Sequence, residues 1–409
     1  MTREQMLINV SVTLHSARVT TPRRLITALC FCAAMSACSN IPQYYAEGEV
    51  AGQTVNTTVD SELAQYYLTK YLQGGSSHPG NDRKINALYE TWGKRPLDAE
   101  NVRRISQQSS PDFASLFLVS RLYEDPLNRK AQDAFKAHLA ALRMHPTQNG
   151  PKVEQSYLFA FVPGFAYKKD TTTGADFARQ RRIMEQAGLK TFLIESDELG
   201  SVENNAAIIA RELIRLGAHH ERIVLVSASK GGPEAALALG KLLTPRDSAN
   251  VTAWISIGGI LRGTPLADRA QRWPRNWWAK IVFFFLGLPS DVVDDVSVAR
   301  RKAEFDTLVF PKHILMLQYV GVPLSGQVSK DVRGRYESLR DLGPNDGLTP
   351  LADELVQRGV VITDIGLDHY YRDPEIDLKT LALAHVVLDA TRHLEKASRT
   401  WSLSTQRAW

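Results

Sequence analysis

From Ser156 to about residue 396 the chain alternates short, mostly apolar runs with longer amphipathic ones. The runs "YLFAFVPG", "KTFLIESD", "RIVLVSAS", "VTAWISIGG", "HILMLQYVG" and "GVVITDIGLD" are rich in β-branched and aromatic residues, as strands buried on both faces are. Between them, "ADFARQRRIMEQAG" reads as a helix stopped by Gly188. "SVENNAAIIARELIRLG" carries Val202, Ala206, Ile209, Leu213 and Leu216 on one stripe between an N-cap serine and Gly217. A helix over 233–243 and a last one near 376–396 complete the series. Strands and helices alternating at this spacing predict an α/β fold built on a doubly wound, mostly parallel sheet. Ligand sites in such sheets lie at the carboxyl ends of the strands.

One of those ends is unusual. In "VLVSASKGG" (224–232) a buried strand gives way to a helix through two serines and two glycines, with Pro233 suited to the first helical turn. A serine on so sharp a turn is pushed into the open, and small neighbours let the backbone take the strained shape. Ser229 is therefore the candidate nucleophile. A serine hydroxyl needs a base to take its proton and a carboxylate to orient that base.

Three further strings bear on this. Ser227-Ala-Ser229-Lys-Gly231 follows the G-x-S-x-G pattern with serine at the first glycine. "ISIGGILRGTPLAD" (255–268) resembles the Gly-rich turn and R-G-[ST]-P-L-A-D segment of lipases, and "GPNDGLTP" (343–350) resembles the loop that carries their catalytic acid. "DIGLDHYY" then places His369 just beyond a strand. Over about residues 156–396 the chain resembles the α/β-hydrolases of lipase/esterase type. The resemblance implies a triad of Ser229, Asp346 and His369, in the chain order of that fold. It also implies an oxyanion hole from the backbone N–H groups of Lys230 and of Phe165, the latter in "FVPGFAY" where Gly164 allows close approach.

Each role has rivals. Asp341 and Asp364 compete for the acid, and His313, His385 and His393 for the base. His313 opens a strand at the far end, His385 sits on the stripe Leu378, Leu381, Leu388 as a core histidine satisfied by a backbone carbonyl, and His393 is near an exposed helix end. The Lys230 side chain reads as solvated or paired. Glu195 and Asp197 read as helix caps.

All three cysteines, Cys30, Cys32 and Cys38, lie in the opening segment. Arg23 and Arg24 precede an apolar run from Leu25 to Ala37, the layout of a secretory signal and too short to span a bilayer. Met35-Ser36-Ala37-Cys38 resembles the bacterial lipobox, with methionine for the usual leucine. That resemblance implies diacylglycerol on Cys38, a membrane anchor, and with Ser39 following, sorting to the outer membrane. The expected organisation is a signal peptide (1–37), a polar tether (38–58), an N-terminal helical cap or brace (59–150) and a catalytic domain (151–396) with a lid-like insertion (264–310). A C-terminal tail (397–409) closes the chain. The insertion holds Trp273, Trp277, Trp278 and the run Phe283–Phe285.

Apolar content of 44% and charged content of 23% are those of a globular protein. Three of the five net positive charges fall within residues 1–37, and no basic stripe interleaves with aromatics, so nucleic acid is not an expected partner. No cofactor or metal is expected: His219-His220 lacks companions at ligand spacing, and "SKGG" lacks phosphate-loop spacing. The expected function is hydrolysis of carboxylic, lipid-like esters through an acyl-enzyme. An amidase or peptidase with the same triad, or an inactive hydrolase fold binding a partner, are the alternatives.

Overall fold

The computed structural model describes residues 41–145, 156–169, 174–271 and 294–406. It opens with a hairpin, β1 (Tyr44–Val50) and β2 (Gln53–Val59), paired in register from Tyr44–Val59 to Val50–Gln53. The polar tether expected over 38–58 is thus corrected to an ordered hairpin over most of its length. Its turn, Ala51-Gly52, has both φ angles in the left-handed region (+52° and +68°), which matches the right-handed strand twist. Ala46 and Val50 on β1, and Val55 and Val59 on β2, are buried at a spacing of four, an even number that keeps each pair on one face.

Five helices follow: α1 (Glu62–Tyr66, prolonged by a wide turn over Tyr67–Tyr71), α2 (Pro79–Trp92), α3 (Ala99–Gln108), α4 (Pro111–Glu124) and α5 (Pro126–Met144). Ser61 caps α1, since its hydroxyl accepts from the Ala64 N–H at 3.1 Å. Ser110 and Asp125 cap α4 and α5 in the same way, each with proline at the first helical position.

The sheet comprises β3 (Tyr157–Val162), β4 (Lys190–Leu193), β5 (Arg222–Ala228), β6 (Val251–Ile257), β7 (Leu315–Val322) and β8 (Val360–Ile365). Its order is β4-β3-β5-β6-β7-β8, with every pair parallel, as expected. Helices α6 (Ala178–Gln186) and α12 (Ile376–Gln406) share one face of the sheet with α5, while α7 (Val202–Gly217) and α8 (Gly231–Leu237) cover the other. The remaining helices are α9 (Pro265–Gln271), α10 (Val298–Phe305) and α11 (Lys330–Leu339). The chain leaves β3 for one face and β5 for the other, so the order reverses between these strands and opens a crevice at their carboxyl ends. The segment expected as a tail is helical as far as Gln406, since no glycine or proline interrupts it after Lys396. Among the described residues no helix is long and apolar enough to cross a membrane.

β8 is the last strand of the sheet, and its outer edge is covered in an uncommon manner. The Val361, Thr363 and Ile365 N–H groups donate to the side-chain oxygens of Asn128, Gln132 and Gln53 at 2.8, 2.9 and 3.0 Å. Gln132 Nε2 returns a bond to the Thr363 carbonyl at 3.1 Å. Three amide side chains from the N-terminal region thus stand in for a seventh strand, which removes a pairing edge. The hairpin and α1–α4 also share one core with Val320, Val322 and Val361. The N-terminal region is a brace built into the sheet's edge.

Candidate active site

Ser229 follows β5 with φ of +51°, in the left-handed region that costs a non-glycine residue about 1–2 kcal/mol. The strain is held by backbone bonds on both sides of the residue. Its N–H donates to the Ile257 carbonyl at 3.1 Å, and its carbonyl accepts from Gly232 at 2.9 Å and Ile260 at 3.2 Å. The two glycines are there for space. A Cβ on Gly231 would lie 2.8 Å from the Pro163 carbonyl oxygen, and one on Gly232 would lie 2.8 Å from the Gly259 Cα. The serine at position 227 fits because its side chain has a place of its own: it is fully buried, and the Trp254 indole N–H donates to its oxygen at 2.9 Å.

The structure brings the three expected triad residues together. Ser229 Oγ lies 2.9 Å from His369 Nε2, and His369 Nδ1 lies 2.5 Å from an Asp346 carboxylate oxygen. His369 is in the loop after β8, with its side chain 9% exposed, and Asp346 is 1% exposed. The other Asp346 oxygen accepts from the Leu348 and Thr349 N–H groups, both at 2.8 Å, so the carboxylate is fixed by its own turn. Gly347 makes that turn, with φ of +93°.

The lipase-like string around Thr264 acquires a physical meaning here. Thr349 Oγ1 donates to the Gly263 carbonyl at 2.9 Å, and Thr264 Oγ1 donates to the Leu348 carbonyl at 2.5 Å. The segment after β6 therefore clasps the loop that carries Asp346. Arg262 extends the clasp with Nη1 on the Leu355 carbonyl at 2.8 Å. Asp268 accepts from the Val298 N–H at 2.9 Å, which ties the two ends of the insertion together. Trp273, Trp277, Trp278 and Phe283–Phe285, and with them the expected lid, lie outside the described residues.

As for the expected oxyanion donors, a Cβ on Gly164 would lie 3.6 Å from the Ser229 Cβ, so the loop carrying Phe165 runs against Ser229. Lys230 opens α8 immediately after it. Among the described residues neither the Phe165 nor the Lys230 amide has a backbone acceptor.

The rivals are occupied elsewhere. Asp341 makes a two-pronged contact with Arg269 at 2.8 and 3.0 Å, and Asp364 binds Lys379 at 2.6 Å and the Tyr319 hydroxyl. His313 Nε2 lies 2.9 Å from the Ser248 carbonyl. His385, expected in the core, is half-buried with its ring stacked on His138 at 5.3 Å. The His393 side chain and Cys38 lie outside the described residues. Glu195 pairs with Lys168 at 3.3 Å and Asp197 closes a turn onto Leu199, so Ser201, not either acid, caps α7.

Two features escape motif reading. Tyr371, with φ of +48°, donates its hydroxyl to the Tyr319 carbonyl at 2.9 Å and accepts from the Gly321 N–H at 2.7 Å, pinning the loop two residues after His369 to β7. Glu354 is 1% exposed with neither carboxyl oxygen partnered, and burial, then Asp346 and Asp353, push its carboxyl well above the usual range.

No family model matches the chain, and no curated protein matches it. Among solved structures it is similar to a metagenomic carboxyl esterase at 19% identity, over 60% of this chain and 77% of that one, with a TM-score of 0.47. A mature lipase of Bacillus licheniformis aligns at 20% identity over 60% of this chain and 94% of its own, with a TM-score of 0.46. A monoacylglycerol lipase of Paleococcus ferrophilus aligns at 15% identity over 59% and 96%, with a TM-score of 0.32.

Proposed function

We propose that the protein is a serine hydrolase of carboxylic esters. The observation that carries this reading is the unbroken relay from Ser229 Oγ through His369 to Asp346, set on a strained turn at the crevice between β3 and β5. In the proposed reaction Ser229 attacks the ester carbonyl while His369 Nε2 takes its proton. Asp346 holds the imidazole in the required tautomer and stabilises the imidazolium. The Phe165 and Lys230 amides receive the charge that develops on the carbonyl oxygen. His369 then returns the proton to the departing alcohol, and water, activated by the same base, releases the acid.

Lipid-like esters are the proposed substrates, and a lipid-modified Cys38 in the outer membrane is the proposed anchor. Support for both comes from the lipase-like strings at 262–268 and 343–350 and from the lipobox-like Met35–Cys38. The deciding experiment is a panel of nitrophenyl esters of graded acyl length beside matched anilides, with Ser229→Ala as control. Serine-dependent turnover of esters well above anilides is expected. Turnover of anilides at equal or higher kcat/KM would overturn the substrate class, and a folded wild-type protein inert to the whole panel would overturn the reaction. Intact mass of the membrane-extracted protein and of Cys38→Ala tests the anchor.

A further inference from the structure

Beside the nucleophile lies a buried ion pair that the triad does not use. Lys230, whose amide is the proposed oxyanion donor, has a side chain only 4% exposed, and Glu234, one helical turn on, is 2% exposed. Lys230 Nζ donates to the Glu234 carboxylate and, at 2.7 Å, to the Gly200 carbonyl. The same Glu234 oxygen accepts from Asn205 Nδ2 at 2.8 Å. Asn205 also donates to the Asp197 carbonyl at 2.8 Å and accepts from the Asp197 N–H at 3.0 Å. Three side chains, Lys230, Glu234 and Asn205, therefore fasten the loop 197–200, after β4, to the first turn of the nucleophile's helix.

Burying a charge pair is costly, and for stability alone an apolar pair of similar volume would serve as well or better. Its position gives it another use. Ser229 is held in the left-handed region, from which its backbone would relax if free to do so, and Lys230, with φ of −57°, is the next residue along that backbone. A side chain locked at Nζ by Gly200 and Glu234 holds the Lys230 peptide plane, and hence the direction of its N–H, against that relaxation. Loop 197–200 is held in turn by Tyr167, just beyond Phe165 and Ala166, whose hydroxyl donates to the Ser196 carbonyl at 3.0 Å. Both proposed oxyanion amides are thereby tied to one loop.

We propose that the Lys230–Glu234 pair is a positioning device that aims the oxyanion-binding amides. This rests on the ester-hydrolase reading above. Lys230→Met keeps the apolar stem of the side chain without its charge and donor, and Glu234→Gln keeps the acceptor oxygen. Lys230→Met is expected to lower kcat on a soluble ester about 10- to 100-fold with KM changed less than threefold, and to slow labelling of Ser229 by a fluorophosphonate by a similar factor. The double variant Lys230→Met/Glu234→Gln removes both charges, so it recovers thermal stability lost in Lys230→Met. It is not expected to recover kcat or the labelling rate. Recovery of both by the double variant, or a kcat within threefold of wild type in a folded Lys230→Met, would overturn the proposal and leave the pair a structural one. A wild-type protein labelled at Ser229 yet inert to esters would overturn the substrate reading alone, because the labelling comparison stands without it.

Discussion

His369 is bonded twice to Asp346: its ring Nδ1 lies 2.5 Å from the carboxylate, and its backbone N–H donates to the Asp346 carbonyl at 2.9 Å. The proposed base and its proposed orienting acid thus come from loops joined through the main chain, and their alignment does not depend on the side-chain contact alone. Charge and geometry at this pair can therefore be altered separately.

Asp346→Asn should keep the geometry and lose the chemistry. The amide oxygen can still accept from Leu348 and Thr349, while its NH₂ faces His369 Nδ1 and favours the wrong tautomer. We expect kcat to fall about 10³- to 10⁴-fold, as for other triads that act as a unit, with the melting temperature nearly kept. A kcat within tenfold of wild type would exclude Asp346 as the orienting acid.

At Ser229 the strain belongs to the backbone. Ser229→Gly and Ser229→Ala should both lose activity by on the order of 10³-fold or more. The glycine variant should be the more stable of the two by about 1 kcal/mol, since only glycine occupies φ of +51° without a Cβ penalty. Equal unfolding midpoints in denaturant would argue against that strain.

Glycine at position 227 should not raise activity. Ser227→Gly leaves the buried Trp254 N–H without its acceptor, a loss of about 1–3 kcal/mol. Chemical denaturation checks the stability, and kcat per folded molecule should stay near wild type.

Stability should fall as pH rises from about 4 to 7. Asp112, wholly buried and close to Asp60, is raised from the ordinary 3.8 to about 7, first by burial and then by the Asp60 charge. Between those values the folded protein holds a proton that the unfolded chain has released, so raising pH favours unfolding. One such group contributes at most about 1.4 kcal/mol per pH unit. Asp112→Asn should flatten the slope of unfolding free energy between pH 5 and 7 even if it lowers the overall value. An unchanged slope would show that Asp112 ionises normally in the folded protein.

Gln132→Ala should unpair both the N–H and the C=O of Thr363. Each buried orphan is worth about 1–3 kcal/mol, and the reopened edge should promote association, detectable by light scattering below the melting transition. A monodisperse variant of wild-type stability would show that the edge needs no cover.

What could be read in the sequence was whatever obeys a local rule. Buried parallel strands announce themselves by composition, so six strands and the turn at Ser229 were legible. Asp346 was reached through the string 343–350 and His369 through its place just beyond a strand. The hairpin was not legible: "SNIPQYYAEGEVAGQTVNTT" is polar on one face and marked only by scattered Ala and Val, and Ala51-Gly52 is a weak turn signal. Nor was the covered edge, because Asn128 and Gln132 on a helix look like ordinary surface amides. The Lys230–Glu234 spacing of four was visible, but nothing local tells a surface pair from a buried one.

The amide cover of β8 also sets a timetable. Gln53 and Ile365 are separated by 312 positions, and Gln132 and Thr363 by 231. At synthesis rates of roughly 5–20 residues per second, the hairpin waits on the order of tens of seconds before the strand it covers has been made. Throughout that interval the valines of β2 and the inner faces of α1–α4 lack part of their core, so a segment made before the sheet is among the last to be secured. Contacts this distant in sequence form slowly, and the nascent chain is exposed to misassociation for as long as both of its ends are not present.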